Sequence, residues 1–437
     1  MTGGRRDPGG DQGLRRVVGL PGAVLLGLGS ILGTGIFVSI GIAAGVAGGW
    51  VVPAVALAAI VAAFNGLSSA QLAASHPVSG GTYEYGYRYL NPLLGFLAGW
   101  MFLAAKSASA ATAALGLSGY LLTALGHPGV GGRVALAVSA VLLLTFLVAG
   151  GMRRSNRANA FIVSFTLAAL ALFVVVGALA SGAPATPAAG SGGDGAARGT
   201  SALLHATALM FVAYTGYGRV ATLGEEVLEP RRTIPRAIIA TLVVTMAVYV
   251  SVTWVAVKVA GADGLAQATR TDVAPLEVVA GLLPVPGVAW VIGAAAVTAM
   301  TGVLLNLILG LSRVALAMGR RGDLPAAMAR VDARHGSPTR AVWLVGLIIA
   351  GLASIGSVET TWSFSAFTVL VYYALTNLAA LRLPPEERRY PRIVPFLGLV
   401  SCLGLAFWVD AGIWLVGLGL AGVGVLWHGI ARRASAN

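Results

Sequence analysis

Two apolar segments carry small and hydroxyl-bearing residues where a membrane-crossing helix normally carries large aliphatic ones. They read GSILGTGIF (Gly29 to Phe37) and FVAYTGYGRV (Phe211 to Val220). A helix broken at mid-membrane presents free N–H groups, which suit a carboxylate, and free C=O groups, which suit an ammonium. Two such breaks therefore predict a site for the zwitterionic head of an amino acid. For either segment alone, the alternative is close helix packing, where small residues also gather.

A lysine lies at a similar depth in another apolar run. Lys106 follows Asn91 by about 15 residues, which places it roughly 20 Å into the bilayer. Its side chain cannot reach water from there, and intramembrane charges normally face the bundle interior. We expect Lys106 beside the substrate cavity, where it could release a proton or stand in for a bound cation. A structural amine bonded to backbone carbonyls is the alternative.

Arg219 is the second charge within an apolar span, just after the second interruption. It could read an acidic substrate side chain, or it could close an inner gate against Glu84, Glu225 or Glu226. We favour the gate.

Membrane-spanning helices carry all of these residues. Of 437 residues, 57% are hydrophobic and 10% charged, whereas a soluble domain carries about 25% charged residues. At roughly 20 residues per crossing, we read twelve spans, near 17–46, 49–75, 93–122, 132–150, 158–180, 201–228, 234–260, 284–318, 340–356, 360–381, 393–409 and 411–430. The sequence therefore predicts an all-α integral membrane protein with twelve transmembrane helices.

The basic residues give this arrangement an orientation. With the N-terminus inside, 23 of the 29 lysines and arginines fall in inner segments and four in outer ones, as the positive-inside rule requires. We expect both termini to be cytoplasmic, and the Ala/Gly/Arg-rich composition indicates the cytoplasmic membrane of a bacterium. The net charge of +13 is thus explained by topology, with the lipid bilayer as partner and no nucleic acid.

The chain divides into two halves, and an interrupted helix begins each half. We expect a cytoplasmic tail (1–16), a first repeat of five helices (17–180), an outer linker (181–200), a second repeat (201–381), helices eleven and twelve (393–430) and a short tail (431–437). Five helices per half give the halves opposite orientations. Paired interrupted helices in inverted halves indicate a transporter with a central site.

Four stretches resemble the amino acid–polyamine–organocation (APC) transporter superfamily. They are GLGSILGTGIFVSIG, PVSGGTYEYGYRYLNPLLGFLAGW, FVAYTGYGRVATLGEEVLEPRRTIPRAI and LSRVALAMGRRGDLP. The resemblance covers about residues 17–381 in the expected order. It implies the leucine-transporter fold, a five-plus-five inverted repeat with helices one and six broken, and a carrier that works by alternating access.

The resemblance also implies which residues contact the substrate. The N–H groups of Gly33, Thr34 and Gly35 would hold the carboxylate. The α-amino group would be held by carbonyls at Ser30, Ile31, Phe211, Ala213 and Tyr214. Thr215 and Gly216 would complete the second break, and Tyr214 and Tyr217 are candidates for a lid or a gate.

One departure bears on ion coupling. Many proton-coupled relatives carry a lysine in helix five, and the corresponding position here is Thr166. Because Lys106 is the basic residue best placed to titrate, we expect proton coupling. Amino acid exchange remains an alternative, as does sodium symport with Thr298 and Thr301 as hydroxyl ligands. A non-transporting amino acid sensor is an alternative of another class.

Enzymatic functions find little support. The histidines are scattered, the single cysteine has no partner, and HExxH and GxxxxGK[ST] motifs are missing, which argues against an intramembrane enzyme and a nucleotide-driven pump. We expect no cofactor and no metal. The sequence does not fix the substrate or the oligomeric state, although two cavity-side cations disfavour dibasic substrates.

Overall fold

Helices form the regular elements of the computed structural model. It describes residues 18–78, 80–127, 132–152, 156–180, 195–221, 227–332 and 336–436. Among them, strand-type pairing is limited to two isolated bridges, Val18 with Val227 and Asp332 with Ser337. The predicted all-α class is therefore confirmed.

The described residues form sixteen α-helices. In chain order they are α1 (Leu20–Ile31), α2 (Ile40–Ala47), α3 (Val51–Ser75), α4 (Thr82–Tyr89), α5 (Pro92–Ala124), α6 (Arg133–Ala149), α7 (Asn156–Leu179), α8 (Gly195–Tyr214), α9 (Gly218–Ala221), α10 (Pro230–Thr271), α11 (Pro275–Gly281), α12 (Val288–Arg320), α13 (Thr339–Ala353), α14 (Val358–Leu381), α15 (Ile393–Ala406) and α16 (Ala411–Ala436). A π-helical turn (Gly35–Ser39) links α1 to α2, and a 3₁₀ turn (Thr215–Tyr217) links α8 to α9.

Seven stretches within the described residues are long and apolar enough to cross a membrane. They are Leu20–Ser75, Pro92–Ala124, Asn156–Leu179, Pro230–Thr271, Val288–Arg320, Val358–Leu381 and Ala411–Arg433, and α6, α13 and α15 are shorter apolar helices. Large apolar side chains on their outer faces, such as Phe161 (72% exposed) and Leu426 (70%), suit contact with lipid. The chain is therefore a multi-pass membrane protein.

Two of these stretches contain internal breaks. Gly48 has a φ of 53° and ends α2, which divides the stretch from Leu20 to Ser75. Gly261, with φ 72° and ψ 165°, interrupts α10. Both conformations lie in a region that glycine adopts without steric cost.

Helix α5, which carries Lys106, is capped at its first turn and packed against α14 along one face. The Asn91 side chain accepts a hydrogen bond from the N–H of Leu94 at 2.8 Å, and Pro92 opens the helix, a favourable N-cap arrangement. Small buried residues on α5 let α14 approach closely, and the helices share a hydroxyl pair, Ser109 with Ser365 at 2.7 Å.

One boundary differs from the sequence prediction. α8 begins at Gly195, inside the stretch predicted as linker, because Ala196 and Ala197 favour helix despite the surrounding glycines. Residues 181–194 of that linker lie outside the described part, as does most of the N-terminal tail.

Candidate substrate-binding site

The first interrupted segment departs from helical geometry next to Gly33. α1 ends at Ile31, and Leu32 has a ψ of 100° before helical angles resume at Thr34. The Gly33 carbonyl accepts hydrogen bonds from the N–H groups of Ile36 and Phe37, both at 3.1 Å. The first N–H groups of this new helical segment have no partners within it, so the backbone presents donors at this point.

Close packing explains the glycines of this segment. A Cβ on Gly33 would lie 2.6 Å from Cγ2 of Val303, and one on Gly35 would lie 2.7 Å from Cβ of Ala213. Real Cβ contacts are not that short. Small residues therefore serve packing and the break together, so the two interpretations of the sequence do not exclude each other.

The second interrupted segment tightens rather than breaks. Thr215–Tyr217 forms a 3₁₀ turn between α8 and α9, and its flanking residues keep right-handed helical angles. Gly216 packs directly against the Ser30 carbonyl, at a position where any Cβ would collide with it. The two segments therefore meet backbone to backbone.

A small cavity of about 40 Å³ lies between the two segments. Its size suits a few water molecules, so an amino acid needs the walls to separate. The predicted site residues that line it are Ser30, Ile31, Thr34, Gly35, Lys106, Ala213, Thr215 and Gly216. The structure brings these eight together from α1, the π turn, α5, α8 and the 3₁₀ turn.

Lys106 contacts the second interrupted segment directly. Its Nζ donates a hydrogen bond to Oγ1 of Thr215 at 2.7 Å, and that hydroxyl donates to the Val212 carbonyl at 2.7 Å. The lysine is 9% exposed, and among the described residues no carboxylate lies within ion-pair distance of it. Within that part of the chain, Lys106 therefore has a hydrogen-bond acceptor but no counter-ion.

Tyr249 occupies a position that the sequence did not indicate. Its hydroxyl donates to the Ile31 carbonyl at 2.8 Å and lies 3.4 Å from the Ala213 carbonyl. Two carbonyls expected to face an α-amino group are thus bridged by a hydroxyl from α10. Each carbonyl oxygen has two lone pairs, so both can accept a further hydrogen bond.

The rest of the cavity wall is mostly apolar. Val212, Val303, Leu307 and Trp362 line it together with Ser109. The Trp362 indole is held by a hydrogen bond from Nε1 to the Leu209 carbonyl at 2.9 Å. Residues of these types also fill the cores of membrane helices, so their types alone do not distinguish them from helix core.

Other predicted site residues lie beside the cavity. Gly33 packs on Val303. The Phe211 ring packs edge-on against Tyr373, and the Tyr214 hydroxyl donates to the Val55 carbonyl at 3.2 Å. Tyr217 is fully buried with its ring 5.5 Å from that of Tyr373. These side chains pack around the interruptions and do not line the cavity.

Thr166 lies outside the cavity lining. It is fully buried in α7, and among the described residues its hydroxyl has no hydrogen-bond partner. On α12, the hydroxyls of Thr298 and Thr301 donate to carbonyls of their own helix. Beside Gly33, α12 presents the Val303 side chain and the Ala299 carbonyl oxygen, which lie 2.6 Å and 3.8 Å from the position of an added Cβ.

Arg219 is half-buried, and its guanidinium approaches Gly310 of α12. Of its predicted partners, Glu84 forms an ion pair with Arg321 at 2.6 Å. Glu225 and Glu226 lie outside the described residues.

Comparison with known proteins extends this picture. A sequence model of the amino acid permease family matches residues 22–422. An uncharacterised transporter of Mycobacterium tuberculosis is 42% identical over 96% of this chain and 92% of its own length. A branched-chain amino acid permease of Bacillus subtilis is 30% identical over 94% and 92%. A methylthioribose transporter of the same organism is 29% identical over 91% and 88%.

The family match covers nearly the whole chain, including both interrupted segments and Lys106. The alignments with the mycobacterial transporter and the branched-chain permease each cover 92% of the relative's own length, and both relatives are transporters by name. The chain therefore belongs to the amino acid permease family of the APC superfamily, and it is a membrane transporter rather than an enzyme.

Proposed function

We propose that this protein is a secondary active transporter that couples uptake of a neutral aliphatic amino acid to protons by alternating access. In this proposal the chain crosses the cytoplasmic membrane twelve times, as an inverted repeat of five helices plus two more, with both termini in the cytoplasm. The observation that carries it is the hydrogen bond from Lys106 to Thr215, which joins a buried amine to an interrupted helix at the cavity.

The backbone of the two segments would recognise the amino acid head. The N–H groups of Gly33, Thr34 and Gly35 begin a new helical segment, and such groups favour a carboxylate. Carbonyls of Ser30, Ile31, Phe211, Ala213 and Tyr214 would accept from the α-ammonium. Tyr249 already donates to the Ile31 carbonyl, so we assign it the role of orienting this carbonyl pair.

The apolar wall would select the substrate side chain. Val212, Val303, Leu307 and Trp362 surround the cavity, and burial of an aliphatic side chain against them is favourable. The ammonium of Lys106 disfavours a cationic side chain. A branched-chain amino acid permease among the relatives supports the same substrate class.

Lys106 would carry the coupling proton. When it is charged, its Nζ holds the Thr215 hydroxyl and thereby the 3₁₀ turn. Loss of the proton leaves a neutral amine whose hydrogen bond is weaker, and this frees the turn to rearrange as the cavity opens. The arrangement with this hydrogen bond has a cavity too small for an amino acid, so release of the proton would accompany opening of the site.

The α12 face supports protons over sodium. Beside the break at Gly33, α12 presents the Val303 side chain and one carbonyl oxygen, that of Ala299, and neither Thr298 nor Thr301 lines the cavity. A sodium ion prefers oxygen ligands, as hard cations do. Uptake with and without amino acids inside the vesicles separates exchange from proton symport.

The test is uptake of labelled leucine, isoleucine and valine into proteoliposomes, under an inward proton gradient, an inward sodium gradient, or with unlabelled amino acids inside. We expect accumulation with the proton gradient, and its loss in Lys106→Met with exchange retained. Lys258→Met is the matched control, because Lys258 donates to carbonyls at the end of α7. Gradient-driven accumulation at the normal rate in Lys106→Met would refute the coupling role, and uptake only into loaded vesicles would mean exchange.

A further inference from the structure

The short helix α11 packs near the C-terminal end of α5 and is linked there to the candidate site. α11 follows a turn at Val273, whose φ is 58°, a costly conformation for a β-branched residue. The turn packs tightly on α5, because a Cβ on Gly119 would lie 2.6 Å from the Asp272 carbonyl oxygen. Packing of this kind holds the strained turn in place.

Tyr120, the next residue of α5, ties α11 to the first interrupted segment. Its hydroxyl donates to the Phe37 carbonyl at 2.8 Å and accepts from the N–H of Leu276 at 3.3 Å. Phe37 belongs to the π turn that begins with Gly35 of the cavity wall. A displacement of α11 therefore acts on the π turn through one fully buried side chain.

Glu277, the residue after Leu276, has a buried carboxyl group. It is 7% exposed, and among the described residues its Oε2 has no hydrogen-bond partner. The carboxyl packs against Gly293 of α12, where a Cβ would lie 3.0 Å from its Cδ. A buried carboxylate oxygen without a hydrogen-bond partner is unfavourable, whereas a neutral carboxylic acid is tolerated in such an apolar environment.

The charged groups around α11 are engaged elsewhere. At the end of α10, Arg270 pairs with Glu359 at 3.4 Å, and Asp272 accepts from the Thr271 hydroxyl at 2.8 Å. Arg133 donates to the Thr271 carbonyl. From α5 the titratable group that faces Glu277 is Tyr120. The π turn has no ionisable side chain, and those of α12 lie 20 or more positions beyond Gly293.

Asp323 at the other end of the molecule shows the contrast. It is 5% exposed, yet it accepts hydrogen bonds from Tyr83 at 2.6 Å and from Tyr87 at 2.7 Å. Burial, and then the bond to Asp323, raise the pKa of both tyrosines well above the ordinary value, so both remain donors. Two tyrosine hydroxyls thus serve the carboxylate of Asp323, whereas among the described residues Oε2 of Glu277 has no donor.

We propose that Glu277 is a positioning residue that docks α11 on the first interrupted segment when its carboxyl is protonated and releases α11 when the proton leaves. Glu277 lies between α10 and α12, outside the membrane-spanning stretches, and on the outer side in the proposed topology. Outer protons would then favour closure over the site. This inference adds to proton coupling at Lys106 and does not need it.

The pKa of Glu277 in the docked state sets the pH range over which release of α11 should change. Burial raises the pKa of Glu277 to about 7, while a freely hydrated glutamate has a pKa of about 4.3. Between these values the docked state binds more protons than the released state. Release therefore becomes easier as pH rises through this window and levels off above it.

Thiol labelling measures release without any transport assay. The native Cys402 is fully buried, so an introduced cysteine can be followed with a membrane-impermeant maleimide. Ala280→Cys reports α11, because Ala280 is 1% exposed, and Leu282→Cys, at a 62% exposed position, corrects for thiol ionisation. We expect the corrected rate to rise on the order of tenfold between pH 5.5 and 7.5.

Two variants complete the test. Glu277→Gln, which cannot ionise, should label slowly at every pH. Tyr120→Phe, which loses the tether to Phe37, should label faster at every pH and keep the pH dependence. A flat corrected rate in the parent, or a slope that persists in Glu277→Gln, would overturn the proposal. If Glu277→Gln fails to fold, the Tyr120→Phe profile decides, since loss of its pH dependence also contradicts release by Glu277.

Discussion

The two interrupted segments reach the same cavity by different means. The first leaves helical geometry, with Leu32 at a ψ of 100° and a new segment from Thr34. The second remains helical and only tightens into a 3₁₀ turn at Thr215–Tyr217. The first break is set by the backbone and by glycines that have no room for a side chain.

The second segment is held by side chains from other helices. Lys106 donates to the Thr215 hydroxyl, and Tyr373 donates to the Thr215 carbonyl at 3.2 Å. A turn that accepts a hydrogen bond from a lysine can change when that lysine changes charge, whereas the first segment is held by packing and by hydrogen bonds from the hydroxyls of Tyr249 and Tyr120. The comparison assigns recognition of the substrate head to the first segment and the coupling proton, carried by Lys106, to the second.

The largest expected effect comes from the contact between the two segments. Gly216→Ala would place a methyl group against the Ser30 carbonyl, and backbone cannot yield as a flexible side chain can. We expect uptake to fall to background, with a stability loss of about 1–3 kcal/mol from overpacking. Uptake and thermal unfolding in detergent measure both. Gly404→Ala, where no atom lies within 4 Å of the added Cβ, is the control, and near-normal uptake by Gly216→Ala would show that the segments need not meet.

A smaller effect should follow from the hydroxyl that Lys106 holds. Thr215→Val keeps the shape and removes the acceptor of the 2.7 Å hydrogen bond. An unpartnered buried donor costs about 1–3 kcal/mol, so we expect gradient-driven uptake to fall on the order of tenfold while exchange persists. Thr301→Val, whose hydroxyl bonds to its own helix, should stay near the normal rate. Equal loss of exchange and driven uptake would assign Thr215 to binding instead.

The smallest effect should come from the first segment. Tyr249→Phe removes the hydroxyl from the Ile31 carbonyl, and a neutral hydrogen bond contributes about 1 kcal/mol. We expect KM to rise several-fold with little change in the maximal rate or its dependence on the proton gradient. Initial-rate kinetics at two gradients test this. A changed proton dependence would remove the division of roles between the segments.

The sequence was sufficient to predict features that depend on neighbouring residues in the chain. The break next to Gly33 follows from small residues within an apolar run, and the burial of Lys106 follows from its depth in an uninterrupted helix. α8 begins at Gly195, within the predicted linker, where mixed glycines and alanines do not mark a helix end.

Contacts between residues far apart in the sequence could not be predicted. Lys106 and Thr215 are 109 positions apart, and Tyr249 is 218 positions from Ile31. Nothing in an apolar helix distinguishes a tyrosine that packs from one that bridges two carbonyls. Glu277 escaped notice for a similar reason, since a single acid in a connecting stretch ordinarily faces water.

Proton flux driven by substrate tests the central claim most directly. Proteoliposomes with a trapped pH dye and no ion gradient receive leucine or valine from outside, and the internal pH is followed. The account predicts acidification with the native protein and with Lys258→Met, and none with Lys106→Met, although that variant still exchanges labelled substrate. Acidification at the native rate in Lys106→Met would contradict it.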